Sequence, residues 1–381
     1  MPGASLRSAR YVDWEFAKTT GSRLVPPGPK VTPAEAAQVV AEVRSAAYRA
    51  QQPVADTARL HAPGDAPAPV IVDRPTWIAL NADSMAALMD PVLGRLLEGQ
   101  RRSPSDTARA IGGKVTGGEA GTLLAFMASK VLGQYDLAPQ GTPQLMLVAP
   151  NIVQVERELG VDPSDFRLWV CMHEETHRVQ FGSVPWLRDH ILGELGTLIA
   201  ELEVEPAVFA ERVKTAVRAV VGSSASPSTR HADVPADRVG EAAAPVTPAD
   251  RFSLLDMVRT PEQRVVIDRL TAVMTLLEGH ATYVMDGVGP LVVPSVAEIS
   301  REFGRRRSRN RLRPETLLRR VLGLDAKMRQ YRDGERFVRS VVDEAGIDGF
   351  NRVWTSPNTL PTQAEINEPA AWIRRVPLRR G

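Results

Sequence analysis

Five residues constrain this chain more than any others: His173-Glu174-Glu175-Thr176-His177, which read H-E-x-x-H. The surrounding stretch predicts a helix, and on a helix residues at i and i+4 share a face one turn apart. Two imidazoles placed that way can hold one zinc ion, and a Glu beside the first can reach a water on that ion. The chain has six histidines in all, so the coincidence of spacing and Glu is itself informative. The bland alternative is a solvated helix that happens to carry two His and two Glu.

The flanking residues favour the metal reading. Asp162 is placed as an N-cap, Pro163 stands at the first helical position, and Asp165 lies near the positive end of the helix dipole. Phe166, Leu168, Trp169, Val170, Cys171 and Met172 then make the first half apolar, as in a buried helix. His and Glu side chains carried into such surroundings need partners, and a metal supplies them.

Zinc needs a third protein ligand and an open fourth position. The metzincin arrangement would need Gly and His where this chain has Gln180 and Ser183. The other common arrangement takes a Glu from a later helix. Thr260-Pro261-Glu262-Gln263 reads as a capping box, Gly287 and Pro290 can end the helix, and Glu278-Gly279-His280-Ala281 lies between. Glu278 and His280 are two apart, so they point to different sides of a regular helix. Glu278 is the preferred ligand, because a buried carboxylate is costly without a cation. Gly279 is read as allowing close approach of the metal helix. The alternatives are a salt-bridged core carboxylate at Glu278 and a hydrogen-bonded core histidine at His280. Glu278-x-x-Ala281 resembles the third-ligand motif E-x-x-A-D of several Glu-zincin peptidases, with Thr282 in place of the Asp. Asp286, about two turns on, is the candidate substitute for that Asp, a carboxylate that would orient a ligand imidazole.

The chain resembles the actinobacterial zincin-like metallopeptidases of the type 2 group, one branch of which is labelled as associated with biosynthesis of the deazaflavin coenzyme. The matching stretches are Asp13-Trp14, Leu24 through Pro29, Val131 through Asp136, His173 through Phe181, Leu277 through Asp286 and Gly323 through Tyr331. The resemblance covers nearly the whole chain outside about residues 212–250. It implies a mainly α protein with a small β element and a zincin-like architecture, and it implies no particular substrate.

Composition bounds the rest. A net charge of +2 on 381 residues gives no global attraction to polyanions. One cysteine, Cys171, excludes an internal disulfide and fits a reducing cytoplasm. No signal pattern opens the chain, and no apolar run is long enough to span a membrane. Oligomeric state is left open. Arg301, Arg305, Arg306, Arg307, Arg309, Arg311, Arg313, Arg319 and Arg320 form a basic run. Glu302, Glu315 and Asp325 lie near it and only Phe303 interleaves, so a salt-bridged helical face is favoured over a nucleic-acid surface.

Along the chain, residues 1–30 read as an irregular arm and 33–52 as an Ala-rich helix opened by the capping signal Thr32-Pro33-Ala34-Glu35. Residues 76–101 and 119–133 read as helices, with Gly112 through Gly118 as a flexible turn between them. That turn lacks the Gly at 108 and the Ser or Thr at 115 that a phosphate loop needs. Pro143 through Pro150 is the best strand, and its flanking prolines suggest an edge where an extended peptide can add, with a short buried core strand as the alternative. Residues 187–222 read as helical and 223–250 as a disordered linker or insertion. The expected organisation is an N-terminal part, 1–222, carrying the His pair, and a C-terminal part, 251–381, supplying the third ligand, as one catalytic unit.

The mechanism these residues point to is zinc-assisted hydrolysis of a peptide or protein substrate, with one zinc held by His173, His177 and Glu278, and Glu174 as general base. His280, Tyr283, Arg329 and Tyr331 are candidate transition-state partners. Two alternatives belong to other classes. One is a non-catalytic metal-binding or partner-binding protein linked to deazaflavin coenzyme metabolism. The other is a nucleic-acid-associated protein that uses the Arg face.

Overall fold

A computed structural model describes residues 11–64, 67–98, 106–138, 140–200, 261–309 and 324–377. The expected linker at 223–250, the helix expected beyond residue 200, and the capping residue Thr260 lie outside them. The described elements run α1 (Trp14–Leu24), α2 (Pro33–Ala58), β1 (Val70–Val72), α3 (Arg74–Glu98), α4 (Asp106–Ala128), β2 (Gly133–Asp136), β3 (Gln144–Val148), α5 (Ala149–Leu159), α6 (Pro163–Ser183) and α7 (Pro185–Ala200). Then come α8 (Pro261–Val288), α9 (Val296–Arg309), α10 (Leu324–Phe350), α11 (Gln363–Asn367) and α12 (Pro369–Arg375). The described residues are mainly helical with one small sheet, as the sequence predicts.

Helix starts follow their caps. Asp162 accepts from the Asp165 N–H at 2.9 Å and opens α6, with Pro163 in its first turn. Thr32 does the same for α2, which runs six residues past the expected end at 52 and carries Pro53 inside it. Within α6, Phe166, Leu168, Val170, Cys171, Met172 and Val179 are all buried. Each large apolar side chain so buried contributes about 1.5–3 kcal/mol. Together with Val43, Ala47 and Ala50 of α2, Ile152 of α5, Val284 of α8 and Ile299 of α9, they form one core. A second core joins Leu187 and Ile191 of α7 to Leu276 and Leu277 of α8, Phe337 and Val341 of α10, and Trp372 of α12. Helix α8 therefore spans the seam between two cores, with α6 against it.

Four expectations need correction. The N-terminal arm contains a helix: Asp13 caps α1 through the Phe16 N–H, and Trp14, Ala17 and Gly21 bury one face at helical spacing. The glycines of 112–118 lie inside helix α4, where Gly117 and Gly118 let α1 come close. A Cβ on Gly117 would run into the Asp13 carbonyl, and one on Gly121 into that of Ala17. The 119–133 helix ends at Ala128, and Gly133 opens β2. The strand expected at the edge is the centre of the sheet. The order is β1-β3-β2, with β1 parallel and β2 antiparallel to β3. Pro143 and Pro150 fall outside the paired residues 144–148, so neither removes a ladder hydrogen bond and both sides of β3 are available. The edge beside the metal helix is β2, which packs on α6.

Candidate metal centre

Helix α6 carries His173 and His177 one turn apart, and their rings stand nearly perpendicular, at 87° with centroids 4.8 Å apart. Helix α8 brings Glu278 between them. Its Oε2 lies 3.5 Å from His173 Nε2 and 3.9 Å from His177 Nε2. One donor atom from each residue falls within 4.8 Å of the others. A tetrahedral zinc with ligands at about 2.0–2.1 Å puts neighbouring donors about 3.4 Å apart. The cluster is thus near the required size, and two imidazoles with a carboxylate are a zinc donor set. The burial is graded: the side chains of His173 and His177 are 21% and 13% exposed and that of Glu278 is 7% exposed. A carboxylate that deep, faced by two ring nitrogens, is where a dication offsets the burial of charge.

The other nitrogen of each imidazole is engaged as well. His177 Nδ1 lies 2.9 Å from Gln180 Oε1. The same amide reaches across to α8, placing Nε2 at 3.0 Å from both the Leu277 carbonyl and His280 Nδ1. His173 Nδ1 lies 3.3 Å from Met285 Sδ, a weaker partner.

Glu174 is buried beside His173, and β2 lies directly over it. A Cβ built on Gly133 would come within 2.5–2.8 Å of Glu174 Cγ, Cδ and Oε1. Only glycine lets the strand run that close to the carboxylate. Two residues on, on the same face of β2, Tyr135 stacks on Phe181 of α6 with centroids 5.4 Å apart and planes 12° apart. Burial pushes the Tyr135 hydroxyl above its ordinary value, against the pull of Arg178 and Arg188. Glu175, the second Glu of the motif, turns away into a bidentate pair with Arg178 at 2.5 and 2.7 Å. Burial raises its pKa and Arg178 opposes the rise.

The remaining sequence candidates fall as follows. His280 is fully buried, its ring between Phe350 and Trp354, with centroids 5.2 and 5.6 Å away. Burial, with a smaller contribution from His177, lowers its pKa to about 3, so it is neutral at physiological pH. It stands outside the donor cluster. Asp286 does not sit against His173; Arg339 holds it at 2.5 Å on the surface, and Met285, one residue earlier, takes the place beside the imidazole. Tyr283 is half-buried with the Arg339 guanidinium 5.8 Å above its ring. The side chains of Arg329 and Tyr331 lie outside the described residues. Gly279 serves a different neighbour from the one expected. It meets Gly334 of α10, not the metal helix, and a Cβ on either would overlap backbone of the other helix. In the basic run, Arg301 and Arg305 pair with Glu302, and Arg306 pairs with Glu158. Among the described residues no helix is long and apolar enough to cross a membrane.

Sequence reasoning missed Gln180, Met285 and Gly133. A signal existed for Gln180, which stands three residues after His177 on the same helix face. No local signal marks the other two, since their contacts are set by packing between distant elements.

No curated protein matches the chain. Among solved structures it is similar to "a putative hydrolase with a novel fold" from Chloroflexus aurantiacus, at 28% identity and a TM-score of 0.65, with 97% of this chain and 100% of that one covered. The zincin-like metallopeptidase family matches residues 12–373, a span that takes in both halves of the donor cluster. On that match the chain belongs to the zincin-like metallopeptidase family.

Proposed function

We propose that this protein is a zinc-dependent hydrolase of peptide bonds. The observation that carries the reading is the convergence of His173, His177 and Glu278 from two helices on one point, with Glu174 next to it on α6. The family match and the hydrolase neighbour support it.

His173, His177 and Glu278 would hold the ion. Bound zinc would supply Lewis acidity, polarising a carbonyl and lowering the pKa of water to about 7. The chain's own residues supply the proton transfers. Glu174 accepts the proton of the attacking water on a carboxylate oxygen and returns it to the nitrogen of the leaving amine. Its burial beneath β2 restricts its rotamers and keeps bulk water away from one side. The edge of β2 away from β3 carries no strand among the described residues. An extended peptide added there would run beside Glu174, with backbone hydrogen bonds giving affinity. His280, Tyr283, Arg329 and Tyr331 stay open as donors to the developing oxyanion, and the fixed neutral state of His280 makes it a poor proton donor. A cytoplasmic location belongs to the same proposal, on the strength of one cysteine, buried and unbridged.

The test is metal analysis followed by peptide cleavage. About one zinc per chain is expected in the wild type, lost in His173→Ala and His177→Ala and strongly weakened in Glu278→Ala. Full zinc retention in all three would sink the site. Stoichiometric zinc with no cleavage across a broad peptide library would favour a non-catalytic metal protein instead.

A further inference from the structure

We infer that Gln180 is a positioning residue that keeps the proton of His177 on Nδ1, and that the backbone carbonyl of Leu277 on the facing helix dictates this. The consequence for metal rests on the zinc reading above; the proton placement does not.

The argument starts from the carbonyl. Which way an amide side chain points is decided by its network, and here one partner has no freedom. The Leu277 carbonyl oxygen can only accept, and it lies 3.0 Å from the Gln180 amide. Reversing the amide would set two acceptor oxygens against each other at that distance in a fully buried place, with no water to separate them. The NH2 group therefore faces Leu277, and its second hydrogen goes to His280 Nδ1 at 3.0 Å. The Gln180 carbonyl oxygen is left facing His177 Nδ1 at 2.9 Å, and an oxygen there requires a proton on the ring nitrogen. In the neutral imidazole that leaves the lone pair on Nε2, the nitrogen that faces Glu278.

The two histidines of the motif are thereby unequal. His173 Nδ1 has a thioether sulfur at 3.3 Å, which accepts weakly and discriminates little between tautomers. His177 is prepared as a ligand before any ion arrives. The Gln180 amide is uncharged, where a carboxylate would add negative charge and basicity. Helix α8 contributes to the site twice, through the Glu278 carboxylate and through the carbonyl of the residue before it.

The experiment uses the full chain stripped of metal and labelled with 15N in its six histidines. Two-bond proton–nitrogen correlations at about pH 8, where ordinary histidines are neutral, report each tautomer. Resonances are assigned with His173→Ala and His177→Ala. The expected result is a His177 that is almost wholly Nδ1–H. Gln180→Leu should shift His177 to a mixture and weaken zinc, measured against a chromophoric chelator, by about 10–100-fold. Met285→Leu should change zinc affinity by less than about threefold. A role confined to packing would move melting temperature without moving the His177 signal. An Nε2–H tautomer of His177 in the wild type overturns the inference, and that measurement stands even if Gln180→Leu fails to fold. An unchanged His177 tautomer in a folded Gln180→Leu protein overturns it as well. A wild type that shows the Nδ1–H tautomer and binds no zinc supports the inference and removes the proposed hydrolase.

Discussion

Glu174 and Gly133 work as a pair at the scale of single residues. Glu174→Gln keeps the size of the side chain and removes its basicity, so fold and zinc content should persist while cleavage falls by about 100-fold or more. An active Gln variant would place the chemistry elsewhere. Gly133→Ala should impair the same step from outside the motif, because the new methyl would meet the Glu174 carboxylate. Cleavage should drop at least tenfold and stability by about 1–3 kcal/mol, read from steady-state rates and urea denaturation, with zinc nearly retained. Wild-type rates in Gly133→Ala would mean that the strand does not constrain Glu174. His173, Glu174 and His177 were legible because their chemistry is written in local spacing. Glu278 was legible because a carboxylate in an apolar helix needs a reason. Gln180 was not, since its role depends on a carbonyl 97 residues away in sequence.

Elements were legible where a cap or a period announces them and illegible where pairing decides. Asp162 and Thr32 marked the starts of α6 and α2, and the structure keeps both. The helical run Trp14–Ala17–Gly21 was hidden by the glycines and prolines around it, and the edge-or-centre question for β3 turned on partners far away in the chain. Glycines read as turns because glycine is a poor helix former, yet at the α1–α4 and α8–α10 crossings they are what lets two backbones meet. The second crossing bears on the site, since Gly279 stands next to Glu278. Gly334→Ala, made on the helix that carries no metal ligand, should push α10 off α8. The expected cost is about 1–3 kcal/mol of stability by chemical denaturation, with zinc affinity weakened through displacement of Glu278. Unaltered stability would show that the crossing has room to spare.

For the whole molecule, both cores draw on segments from either side of the undescribed stretch 201–260. Val284 and Ile299 join the α2 and α6 residues, while Leu187 and Ile191 join those of α8 and α10. Residues 1–222 or 251–381 expressed alone should then be insoluble or molten, each exposing an apolar face, and co-expression should restore zinc binding. A soluble, zinc-binding N-terminal half would refute this. The C-terminal turn of the chain carries its own acid sensitivity. Burial works against the charge of Glu365, but Arg375 and the Thr362 N–H outweigh it and hold its pKa below the ordinary carboxylate value. A lowered pKa contributes stability that is present above about pH 4.3 and is lost as pH falls through the lowered value. Glu365→Gln should therefore destabilise the protein at pH 7, and the difference should shrink as pH falls below the ordinary carboxylate range, as followed by thermal melts.

The placement of Glu278 about a hundred residues after His177 also sets an order of events during synthesis. At about 5–20 residues per second, a ribosome takes roughly 5–20 s to add that interval. Throughout it the nascent chain offers the two imidazoles without Glu278, a poor bidentate trap for a divalent ion. The third donor arrives only with α8, and α8 is seated by α10, which is made later still. Tight capture of the ion is then a property of the finished polypeptide, and truncated products released early would leave the cell's zinc pool untouched.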